Sequence, residues 1–111
     1  MSYRIAQYHL NELILSPEDV ARNLTAACRR DGHHYRVNGV CQTREHVIFI
    51  LAPEPQAGPW RYVLAPFPGD EPTEVVAEIA GRWQGGYATR GHVRLPDQVL
   101  GLFEQAAAAA G

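Results

Sequence analysis

His9, Cys41 and His46 are the side chains of this 111-residue chain that could together hold a metal ion: two imidazoles and a thiol, with Glu12 and Glu45 close by in sequence. Zinc accepts such nitrogen, sulfur and oxygen donors. Their spacing follows no known ligand pattern, and turn histidines are commonly just solvated polar groups. The trio therefore stands as a candidate, and no cofactor is expected. His33 and His34 form a weaker pair, because adjacent strand residues point to opposite faces.

Nucleophilic chemistry finds little support. Ser2 and Ser16 are the two serines, and Ser16 is placed to cap a helix; Cys28 falls on an apolar helical stripe, where a thiol is packing material. Gly85, Gly86 and Gly91 end or interrupt elements and do not open a helix after a strand, which argues against a phosphate-cradling loop. Asp70 and Glu71 sit where a helix start favours negative charge. No catalytic residue is expected, and the reading leans away from an enzyme.

A richer pattern lies in arginines interleaved with aromatics. If Tyr3, Ile5, Tyr62 and Leu64 face the core, then Arg4, Tyr8, Arg36, Arg61, Phe67, Arg90, His92 and Arg94 line the opposite side of a sheet. Such a surface could stack single-stranded bases or meet another protein, since Arg and Tyr are enriched in protein interfaces. Ten basic and twelve acidic residues give a net charge of −2, which offers nucleic acid and anionic membranes no global attraction. A protein partner is favoured and nucleic acid is not.

These residues must be positioned by a short series of elements. Alternation predicts a strand over Ser2 to His9, and Leu10 to Leu15 read as an apolar connection. Ser16, Pro17, Glu18 and Asp19 give a helix start, with Val20, Leu24, Ala27 and Cys28 on its buried stripe and Gly32 as its terminator. Strands follow at His34 to Gln42 and His46 to Ala52. A further strand carries Tyr62 and Leu64. A second helix carries Val75, Val76, Ile79, Ala80 and Trp83, and another strand runs from Tyr87 to Leu95. From Asp97 onward, five consecutive alanines favour helix, whereas the internal repeat favours a strand over Gln98 to Glu104; the repeat is followed.

That repeat rests on constant offsets. Tyr35, Gly39 and Val47 return as Tyr87, Gly91 and Val99, 52 positions on; Pro17 and Val20 return as Pro72 and Val75 at 55; Tyr3 and Ile5 return as Tyr62 and Leu64 at 59. The offset changes only where loops are expected. The fold class predicted is α+β: two tandem βαββ repeats, residues 1–52 and 60–104 with a joint at 53–59, forming one mostly antiparallel sheet with two helices on one face. All 111 residues make one domain.

Asp31 to Tyr35 before Val47 to Leu51, and Gly85 to Tyr87 before Val99 to Phe103, give the pattern of a helix ending at glycine, a polar and aromatic strand, and a hairpin closing on an apolar strand. In this the chain resembles a tandem copy of a small bacterial βαββ domain of unknown function, with ferredoxin-like local units. The resemblance implies a fold and no catalytic residues.

The apolar run Val47 to Leu51 asks for cover on both faces, and a second subunit is the simplest cover. The expectation is a non-enzymatic, dimeric, cytoplasmic protein that binds a copy of itself or another protein through its open sheet face. No leader segment or membrane span is expected. The alternative is a small-molecule-binding domain, or an enzyme of the dimeric ferredoxin-like kind, with a pocket between helices and sheet near Tyr35, Cys41, Trp83 and Tyr87.

Overall fold

The computed structural model describes residues 2–29, 32–54, 58–69 and 71–106. Asp31, Pro55, Asp70 and the alanine run beyond Ala106 lie outside them.

The chain folds as β1 (Arg4–His9), α1 (Leu10–Leu15), α2 (Pro17–Ala27), β2 (Tyr35–Gln42), β3 (His46–Pro53), β4 (Trp60–Pro66), α3 (Pro72–Gln84), β5 (Ala88–Arg94) and β6 (Val99–Ala106). The described residues form an α+β structure of two three-stranded antiparallel sheets and three helices. The first sheet has the order β1-β3-β2 and the second β4-β6-β5.

This corrects the expectation of one six-stranded sheet with two helices on one face. β2 and β5 face one another, but side chains join them in place of a backbone ladder. The Gln42 amide donates to the Arg94 carbonyl at 2.6 Å and accepts the Arg94 N–H at 3.1 Å. The ladders shift register between Val37 and Gly39 in β2 and between Thr89 and Gly91 in β5. A bulge bends its strand and disrupts pairing, so both facing strands leave the plane that a continuous sheet would need. At the contact, Gly91 has φ +143, and a Cβ there would stand 3.1 Å from Val40 Cγ2.

The bulge in β5 also breaks the expected alternation. Thr89 pairs with Phe103, but Gly91 pairs with Leu102 and His92 with Gly101. Arg90 thereby turns to Glu104, although it still lines one shallow pocket with His92 and Arg94.

The expected connection at Leu10 to Leu15 is instead a helix. His9 caps it: its Nδ1 accepts the Asn11 N–H at 3.1 Å, while Glu12 accepts the His9 N–H at 2.8 Å. Ser16, predicted to cap α2, makes no side-chain cap bond; Pro17 opens the helix, which closes at Cys28, before Gly32. The contested C-terminal segment is strand, because β6 is central and bonds to β4 and β5 along its length. Two ladders outweigh the local preference of alanine for helix.

The main core lies between the sheets. Ala6, Tyr8, Val47, Phe49 and Leu51 of the first sheet, Val20, Leu24 and Cys28 of α2, and Tyr62, Leu64, Leu100 and Leu102 of the second sheet form one buried cluster. Registers of Tyr62 with Glu104 and Leu64 with Leu102 place Glu104 on this same inner face. α2 runs along the free edge of β4, where Thr25 Oγ1 accepts the Tyr62 N–H at 3.0 Å. α3 lies outside the shared core and buries none of its residues fully. No helix among the described residues is long and apolar enough to cross a membrane.

Candidate functional site

Glu104 is the one charged residue buried in the described chain, with 3% of its surface exposed. A carboxylate removed from water must be paired, and this one is paired from three strands. Arg36 of β2 donates through Nε to both carboxylate oxygens, at 3.1 and 3.2 Å, and through Nη2 to Oε1 at 2.8 Å. Arg90 of β5 donates through Nε to Oε1 at 3.0 Å, and Tyr62 of β4 donates its hydroxyl to Oε2 at 2.7 Å. The Tyr62 oxygen in turn accepts the Val37 N–H at 2.8 Å, at the bulge of β2. Burial, and then the hydrogen bond to Glu104, push the Tyr62 phenol far above its ordinary range, so it remains a donor.

The acceptor capacity of Glu104 is thus consumed by fixed donors. That arrangement locks β2, β4, β5 and β6 together and leaves no free carboxylate for proton transfer. Cys28 is equally unsuited to chemistry: burial pushes its thiol up to about 12, the neighbouring Glu104 charge acting in the same direction.

The eight residues expected on one open face are divided by the fold. Tyr8 is a correction: it is buried, meets Phe49 edge to face, and donates to Asn23 Oδ1 at 2.6 Å. Arg36 and Arg90 serve Glu104, and Arg36 also lies over the Trp60 ring. Arg4 stacks on Tyr35, and Arg61 bonds Gln105 and the Tyr87 hydroxyl. Phe67, His92 and Arg94 do come together, in a cleft between α3 and the outer face of the second sheet. Tyr3 and Ile5, expected in the core, are exposed instead.

Of the candidate metal ligands, the structure brings His9 and His46 together, with ring centroids 5.2 Å apart. Cys41 pairs with Ile48 further along the sheet. Among the described residues no group of three or more His, Cys, Asp or Glu side chains is placed to hold a metal ion. Of the residues expected to surround a pocket between helices and sheet, Tyr35 is buried, whereas Cys41 and Trp83 are exposed.

Two surfaces remain that could meet a partner. The cleft has a volume of about 790 Å³ and is lined by Phe67, Val75, Ile79, Val99, His92 and Arg94 among others. Its floor is aromatic: Phe67 meets Phe103 edge to face, and a Cβ at Gly101 would stand 2.7 to 2.9 Å from their rings. Beside it, α3 exposes Val76 and Trp83. The second surface is the outer face of the first sheet, where Ile5 pairs with Ile50 and Gln7 with Ile48. Ile5 is exposed there, and Ile48 and Ile50 are half-buried.

The chain matches no protein-family model, no curated protein and no solved structure.

Proposed function

We propose that this chain is a duplicated βαββ unit that works as a self-associating, non-enzymatic module, using the outer face of its first sheet. The observation that carries the proposal is the apolar character of that face. Tyr3 and Ile5 stand 63% and 67% exposed, beside half-buried Ile48 and Ile50. A contiguous apolar patch on a small protein marks an interaction site.

Duplication is supported by the ladders. Arg4 lies opposite Leu51 and Val63 opposite Phe103, which carries the sequence offsets of 59 and 52 into the pairing. The bulges at Val37/Gly39 and Thr89/Gly91 are again 52 apart, and in each sheet the third strand is central. The committed Glu104 carboxylate and the raised Cys28 thiol favour a binding module over an enzyme.

The test is light scattering across a concentration series. A mass above that of one chain, lost in Ile5→Arg, is the expected result; a single-chain mass at every concentration overturns the proposal. One observation favours a second reading, the cleft beside α3. Its apolar floor, the His92 imidazole and the Arg94 guanidinium suit a compact organic anion with an aromatic or acyl body, and Arg94→Ala would then abolish binding measured by calorimetry.

A further inference from the structure

The inner face of the second sheet and the outer face of the first are built from corresponding residues with opposite fates. Tyr62 and Leu64 are 3% and 5% exposed, and Leu100 and Leu102 are fully buried. Their counterparts at the offsets above are Tyr3, Ile5, Ile48 and Ile50, which make up the outer face of the first sheet. The molecule therefore buries one example of this face and leaves the other in water.

What buries the first example is known. The inner face of the second sheet packs toward the side of the first sheet that α2 covers, and α2 runs along the β4 edge. α2 turns Val20, Leu24 and Cys28 into the core and presents Ala21 and Thr25 toward β4, beside Tyr62 and Leu64. At an offset of 55, the same positions on α3 are Val75, Ile79 and Trp83, and then Val76 and Ala80. Val75 and Ile79 face the cleft over the second sheet. Val76 and Trp83, by contrast, are 63% and 70% exposed, although Ala21 and Cys28 are buried. α3 thus carries, as Val76 and Ala80, the flank that α2 uses against β4, and as Trp83 an exposed counterpart of core-facing Cys28.

The charges repeat as well. α2 bears Glu18, Asp19 and Arg22, and β4 bears Arg61. α3 bears Glu74, Glu78 and Arg82, and β1 bears Arg4. Each helix has a net charge of −1 and each strand +1, but Arg4 stacks on Tyr35 on the side of β1 away from Tyr3 and Ile5, so apolar contact and not charge carries the docking.

We infer that α3 and the cleft beside it receive the first sheet of a second copy, with that copy's Ile5 of β1 and the preceding Tyr3 against Val76, Ala80 and Trp83. The contact reproduces between molecules the packing that α2 and the second sheet make within one. It rests on the duplication and self-association proposed above, and it adds the identity of the mating surface. The outer face of the first sheet binds the helix side of the second sheet, not another outer face.

Complementation of two variants tests this. Ile5→Arg spoils the sheet surface and Val76→Arg the helix surface; each alone is expected to run at single-chain mass with wild-type circular dichroism. Mixed in equal amounts, they retain one intact surface each and are expected to form a one-to-one pair, with blue-shifted emission as Trp83 leaves water. If Val76→Arg assembles as wild type does, or if the mixture stays at single-chain mass, the inference falls while self-association stands. Wild-type protein that never exceeds single-chain mass removes both. Ala80→Arg takes the place of Val76→Arg should that chain lose its circular dichroism.

Discussion

Glu104 fastens the two sheets, and its partners at positions 36, 62 and 90 come from three other strands. Glu104→Gln keeps the shape, removes the charge and leaves two guanidiniums facing a neutral amide. Breaking a buried ion pair from one side costs about 3 to 5 kcal/mol. Arg36 and Arg90 are each about a third exposed, so water recovers part of that. The expected loss is about 2 to 4 kcal/mol, read from urea midpoints at unchanged slope. Cys28 gives a second prediction at this scale. Its thiol titrates near 9 in an unfolded chain and is pushed up to about 12 in the folded one. Between those values the folded state holds the extra proton, so stability falls as pH rises from 9, by up to about 1.4 kcal/mol per pH unit for this one group. Cys28→Ala starts less stable and is expected to lack that share of the alkaline slope. In the sequence Glu104 left a trace that was open to reading, an acid following Leu100 and Leu102 at the two-residue period of a buried strand face. The facing of β1 left none: Tyr3 and Ile5 alternate with Ala6 and Tyr8, both sets are apolar, and periodicity tells how residues are grouped but not which group meets the core.

At the level of elements, strands and long helices were legible because their periods are local properties, whereas what they pack against is not. α2 and α3 share an opening proline and an apolar stripe, yet one is built into the core and the other lies on the surface. α1 carries no recognisable start signal in the sequence because its cap is a histidine, outside the residues that usually announce a helix start. The bulges in β2 and β5 were equally hidden; their consequence was to send Arg90 to Glu104 and leave His92 and Arg94 in the cleft. Thr25 shows how an element is fixed in place. Its hydroxyl donates to the Ala21 carbonyl at 2.9 Å and accepts the Tyr62 N–H, tying helix to strand edge. Thr25→Val preserves the shape and strands that N–H, at an expected cost of about 1 to 3 kcal/mol. Thr25→Ser keeps the bond and is expected to lose much less, and paired thermal melts of the two variants separate hydrogen bonding from packing.

For the molecule as a whole, the repeat plan does not translate into two independent bodies. The sequence offsets suggest halves that each own a core, but the largest buried cluster draws on both sheets and on α2. Within the described residues the first half would, on its own, expose Phe49 and Leu51, and the second would expose Tyr62, Leu100 and Leu102 together with a charged Glu104 lacking Arg36. Neither set can be left in water without loss of most of the burial that opposes chain entropy. Unfolding should therefore be a single event. The chain has two tryptophans, Trp60 and Trp83; Trp60 is buried beside Arg36, so in a Trp83→Phe background its fluorescence reports the contact between the halves. That signal and far-ultraviolet circular dichroism are expected to change at one denaturant midpoint with one slope. Two separated midpoints would mean that each sheet holds itself together, and the shared core, the Glu104 fastening and the use of one half as a template for assembly would all lose their footing.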